Sequence, residues 1–85
     1  MTFDKIIVDT FLKNQLQLFP EKVADDLEEA DEFLEDMCAV VCKNKKGVLT
    51  YFKEELDTEG MSDEELLASE EVFAIADGRY LIVEG

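Results

Sequence analysis

Residues 72–83 read Val72-Phe73-Ala74-Ile75-Ala76-Asp77-Gly78-Arg79-Tyr80-Leu81-Ile82-Val83. Two β-rich runs flank Asp77-Gly78, and Asp-Gly between apolar runs is the strongest short-range signal for a two-residue type I′ hairpin. Such a turn pairs Ile75 with Tyr80 and Phe73 with Ile82 on one face. It pairs Ala74 with Leu81 and Val72 with Val83 on the other. Both faces are apolar, which places the hairpin centrally in a sheet covered on both sides.

Working back from the hairpin, Ser62-Asp63-Glu64-Glu65 has the form of a capping box, with Met61 and Leu66 placed as its hydrophobic staple. A short helix is expected there, ending near Ser69. Further upstream, Met37 to Cys42 is a continuous apolar run and Gly47 to Phe52 is β-rich. The turn residues Asn44-Lys45-Lys46-Gly47 between them predict another hairpin. At the N-terminus, Phe3, Ile7 and Phe11, with Val8, Leu12, Leu16 and Phe19 beside them, predict an amphipathic helix over 3–18. Its β-branched start, Ile6-Ile7-Val8, also fits a strand. Pro20 stops this helix and is free to open the next. There Val23, Leu27, Ala30 and Leu34 form an apolar stripe widened by Phe33 and Met37. The two helices are expected to pack antiparallel across a very short connection.

The expected fold class is therefore α+β: two N-terminal helices, then a β-hairpin, a short helix and a C-terminal β-hairpin, forming a small antiparallel sheet. With 85 residues the chain is one domain, 1–85, because a second core would not fit.

The chain carries 22 Asp+Glu against 8 Lys+Arg and no His, for a net charge of -14. Direct binding to nucleic acid or an anionic membrane is disfavoured, since both need a Lys/Arg surface. No apolar run approaches the ~20 residues of a membrane span, and the N-terminus has no signal-peptide pattern. Cys38 and Cys42 would lie about 13 Å apart in a strand, too far for a disulfide. Two reduced thiols in a cytoplasmic protein are expected, at least one of them buried.

Catalysis finds little support. Without His, the usual general base and the commonest metal ligand are both missing. No phosphate loop, dinucleotide fingerprint or nucleophile elbow is present. The stretch Glu55 to Glu65 resembles an EF-hand loop, with Glu55, Asp57, Glu59 and Asp63 at positions 1, 3, 5 and 9 around Gly60. Position 12, which needs a bidentate Glu, is then Leu66. A loop leading into a capping box is the simpler account, and neither metal nor cofactor is expected.

The charge is segregated. Residues 21–36 are net -8 and residues 54–71 net -9, while 37–53 between them are +4 from Lys43, Lys45, Lys46 and Lys53. The basic turn 43–46 has two readings, a contact for an acidic partner and a solvated tip that blunts an edge strand, and the second is favoured. The acidic segments exceed what solubility requires and cost stability through self-repulsion. A rigid row of carboxylates can imitate a polyanion and occupy the basic groove of a nucleic-acid-binding protein, steered there by charge. Asp25, Asp26, Glu28, Glu29, Asp31, Glu32, Glu35, Asp36, Asp63 and Glu64 are the candidate partner-binding residues.

In size, charge and lack of catalytic residues the chain resembles the small acidic phage-borne inhibitors of restriction and CRISPR nucleases, a likeness of type with no shared motif. The function that this implies is a non-catalytic inhibitor or decoy acting on a protein with a basic surface. The alternative is a cytosolic regulatory or adaptor domain that binds its partner through an apolar groove or sheet edge, its acids serving solubility. Continuity of the two acidic segments would favour the first reading, and placement on opposite sides would weaken it. The many large apolar residues of the first helix leave monomer and homodimer both open.

Overall fold

In the computed structural model, which describes residues 2–55 and 60–84, the C-terminal hairpin forms with a turn one residue longer than Asp-Gly alone implies. Its register is Val72↔Ile82, Phe73↔Leu81 and Ala74↔Tyr80. The loop is Ala76-Asp77-Gly78. The Gly78 N–H donates to the Ile75 carbonyl at 3.0 Å, Gly78 takes φ +94°, and the Ile75 N–H then reaches the Arg79 carbonyl at 2.9 Å. A turn followed by a left-handed glycine is the next most favoured hairpin connection. Asp77 reinforces it, accepting from the Arg79 N–H at 3.1 Å and from its guanidinium at 2.7 Å. The one-residue shift changes which side chains share a face. Phe73 now lies with Leu81, and Val72 with Ile82.

Two N-terminal helices, a short helix and the C-terminal hairpin are present as expected, with an antiparallel sheet, so the domain is α+β. The elements are α1 (Lys5–Asn14), α2 (Leu27–Asp36), β1 (Val40–Cys42), α3 (Lys45–Glu55), α4 (Asp63–Leu67), β2 (Val72–Ala74) and β3 (Tyr80–Ile82). The strand order is β1-β3-β2, with Val40↔Ile82, Val41↔Leu81 and Cys42↔Tyr80 joining β1 to β3. Only one arm of the hairpin is central: β3 is buried on both faces, with Leu81 and Ile82 at 0% and 1% exposure, while β2 lies at an edge of the sheet.

Helices α1 and α2 cover one face. Ile7, Val8, Phe11, Ala30 and Leu34 meet Phe73, Ile75, Leu81 and Val83 there. Phe11 is the hub, with ring centroids 5.3 Å from Phe73, 5.8 Å from Phe33 and 6.4 Å from Phe19. Six of the seven large apolar residues on the first helical segment pack into this core within one chain, leaving Leu16 58% exposed.

The connection between α1 and α2 is not short. After a 3-10 turn at Gln15–Gln17 the chain stays irregular until Asp26 caps α2, its carboxylate accepting the Glu29 N–H at 2.9 Å. Pro20 therefore opens no helix. The excursion is braced by Gln15, which is 2% exposed. Its Oε1 accepts the N–H groups of Val23 and Ala24, and its Nε2 donates to the carbonyls of Leu12 and Ala24.

On the opposite face the structure corrects the sequence reading. Residues 47–52 are not the second arm of a hairpin but the body of α3, and Asn44 is its N-cap, with Oδ1 accepting the Gly47 N–H at 2.9 Å. Val48 and Phe52, buried at 0% and 3%, are four residues apart and share a side in a strand and a helix alike. Thr50 separates the two cases, since a strand would bury it with them and here it is exposed. Gly47 permits the close approach, because a Cβ there would lie 3.3 Å from the Cys42 Cβ. Ser62 caps α4 through the Glu65 N–H at 3.2 Å, and Leu66 is buried while Met61 stays 45% exposed. Val48, Phe52 and Leu66 form the second core cluster with Cys42, Val72 and Ile82.

No helix among the described residues is long and apolar enough to cross a membrane.

Candidate functional site

Along α2 and its approach, the apolar stripe turns inward and Asp25, Asp26, Glu28, Glu29, Glu32, Glu35 and Asp36 are exposed. Three of these seven acids have local tasks. Asp26 caps the helix, Glu29 accepts the Asp25 N–H at 3.3 Å, and Glu35 accepts the Thr2 hydroxyl at 2.9 Å. The side chains of Asp25, Glu28, Glu32 and Asp36 make no hydrogen bond among the described residues. The salt bridges among those residues are Lys13–Asp9, Lys53–Asp63, Arg79–Asp4 and Arg79–Asp77. None involves α2, so its carboxylates have no cationic partner among the described residues.

Asp31 is different. It is 6% exposed, and its two oxygens accept the N–H groups of Phe3 at 2.8 Å and Thr2 at 2.9 Å. These bonds, that from Phe3 foremost, hold its carboxyl below the usual aspartate range. The carboxylate that the sequence offered to a partner is committed to anchoring the N-terminal segment. Its position was legible, since Asp31 is four residues from Leu27 and three from Leu34 and therefore sits on the buried stripe.

Asp63 and Glu64 are exposed at the start of α4, with Asp63 3.8 Å from Lys53 Nζ. Helix α4 packs with α3 against the face of the sheet opposite α2. The acids of 25–36 are thus brought together, and Asp63 and Glu64 are carried to the other side.

Among the described residues, no group of three His, Cys, Asp or Glu is placed to hold a metal ion. Asp57 and Glu59 of the EF-hand-like stretch lie outside those residues. Both thiols are free. Cys38 is exposed at the left-handed position that ends α2 (φ 56°), and Cys42 is buried, which pushes its thiol pKa up and keeps it protonated.

Because residues 45–55 are helical, β1 acquires a second neighbour. Between the outer edge of β1 and the flank of α3 runs an open groove of about 530 Å³, floored by Val40, Val41, Cys42 and Tyr51. Lys43 and Lys46 line its closed end, where β1 turns into α3. No ion pair engages Lys43, Lys45 or Lys46 among the described residues. Comparison of the chain with protein-family models, with curated proteins and with solved structures finds no match to any of them.

Proposed function

We propose that the chain is a non-catalytic interaction domain that presents the outer surface of α2 to a basic surface of a nucleic-acid-binding protein, as an inhibitor or decoy. The observation that carries this reading is the row of seven exposed carboxylates at 25–36 with no internal cation among the described residues. Leaving these charges uncompensated costs stability through mutual repulsion, and the ion pairs among the described residues serve Asp4, Asp9, Asp63 and Asp77 instead. A ten-residue helix is about 15 Å long, and one DNA strand sets about four phosphates along that length. Glu28, Glu29, Glu32, Glu35 and Asp36 match that linear density.

Placement of α4 on the other side of the sheet weakens this reading by removing the continuous second acidic segment, and leaves it to rest on α2 and its approach alone. Asp63 and Glu64 do not extend the mimic, and Asp31 is not part of it. The complementary partner surface is correspondingly small, a single basic stripe rather than a wrapped groove.

The test is capture of proteins from a lysate on the immobilised chain, with wild type compared against a Glu28→Lys, Glu32→Lys, Asp36→Lys triple variant. These three side chains bond to nothing else among the described residues, so the variant should stay folded and, with repulsion relieved, melt no lower than wild type. Nucleic-acid-binding proteins that are retained by wild type, displaced by excess duplex DNA or by moderate salt, and lost with the variant are the expected outcome. A partner that survives DNA, salt and charge reversal overturns the reading and favours the adaptor alternative.

A further inference from the structure

The two edges of the sheet are treated differently. Along β2, the Gln17 side-chain amide donates to the carbonyls of Glu70 and Val72 at 3.0 Å each, so the start of that edge is occupied from within. On β1 the outer edge faces the groove, and Val41 stays 37% exposed. An uncovered edge strand is a template for another strand. Here it lies beside a helix, the setting in which an added peptide gains main-chain hydrogen bonds on one side and side-chain pockets on the other.

We infer that the β1–α3 groove is a docking site for an extended acidic peptide segment of another protein, which adds as a fourth strand to the outer edge of β1. The choice of occupant rests on charge. In a chain of net charge -14, the +4 stretch 37–53 concentrates three of its four lysines at 43–46, between the end of β1 and the first turn of α3, and Lys43 and Lys46 line the groove itself. Acidic side chains of the peptide sit against these lysines at the closed end. An apolar side chain two residues away points to the same side of the added strand and fills the space over Val40, Cys42 and Tyr51. Glu54 lines the far end and repels a second cluster of acids there, which fixes the direction of the peptide. This site is independent of α2 and takes partners of the opposite charge.

The experiment is an NMR titration of the isotope-labelled full chain with an acetylated, amidated octapeptide, Val-Thr-Val-Thr-Glu-Thr-Glu-Thr, which sets its acids and its apolar side chains on one side of a strand with the acids at one end. Two further octapeptides serve as controls, one with Lys replacing Glu and one N-methylated at every second residue. The expected result is saturable shift changes confined to residues 40–54. Affinity should fall at least tenfold for the Lys43→Glu, Lys46→Glu variant, for the Lys peptide at this site, and for the N-methylated peptide, which cannot complete the ladder. The inference is overturned by the absence of shifts up to millimolar peptide, or by equal binding of the N-methylated peptide, which would mean charge attraction without strand addition. Concentration-dependent dimerisation through residues 40–42 in the absence of peptide would also overturn it. Shifts induced by the Lys peptide along α2 report on the acidic surface and bear only on that proposal.

Discussion

The two faces of the sheet are built from different materials. One holds α1 and α2 over a cluster centred on Phe11, with Phe19, Phe33 and Phe73 around it. The other holds α3 and α4 over a mainly aliphatic cluster of Val48, Leu66, Val72 and Ile82, with Phe52 as its one buried aromatic ring among the described residues. The first side is fastened by polar side chains reaching far along the sequence, such as Asp31 to the N-terminus and Gln15 to residues 23 and 24. The described bonds of Asn44 and Ser62 on the second side are caps on their own helices. The second side has a long-range polar bond as well, from the Tyr51 hydroxyl to Glu84 at 2.7 Å, so the two sides differ chiefly in the aromatic content of their cores.

Truncating the aromatic hubs should separate the two sides most strongly. Phe11→Ala is expected to cost about 4–5 kcal/mol and Phe52→Ala about 3 kcal/mol in urea unfolding, because Phe11 loses ring contacts on several sides as well as area. Equal losses would mean that the second side is packed as tightly as the first. Gln15→Ala comes next, at about 2–3 kcal/mol, since it strands buried N–H and carbonyl groups of Ala24. A smaller cost, of about 1 kcal/mol, is expected for Asn44→Ala through loss of the α3 cap, and no loss would weaken the helical assignment of 45–55. The mildest effect is on pH dependence. The folded-state pKa of Asp31 lies below its unfolded value of about 3.9, so its contribution is full above that pH and disappears as pH falls through the folded pKa. Asp31→Asn should flatten the acid side of a plot of urea midpoint against pH relative to wild type. An unchanged slope would show that other carboxylates, Asp77 among them, dominate it.

Much of the first side was legible in the sequence because its helices carry a 3.6-residue apolar period over more than two turns. The second side was not, for an identifiable reason. Val48 and Phe52 satisfy both periods, and only exposed Thr50 and the Asn44 cap discriminate between them. The hairpin at 72–83 was visible as an element but not in register, since Asp-Gly serves a two-residue turn and, with the glycine left-handed at its end, a three-residue loop. Of the candidate surface residues, exposure followed from the helical pattern for all but Asp31. The groove beside β1 had no separate signal, because its second wall exists only once 45–55 is read as a helix.

The distribution of aromatic residues makes the two sides separately visible to light. The chain has no Trp, and both tyrosines, Tyr51 and Tyr80, pack against the second cluster, while five of six phenylalanines belong to the first. Tyrosine emission therefore reports on α3, α4 and their face of the sheet, and phenylalanine near-ultraviolet dichroism reports on α1 and α2. Coincident melting curves from the two signals would mean that the three-stranded sheet transmits unfolding from one side to the other as a single transition. Separated curves would show the helices on one face loosening while those on the other still hold.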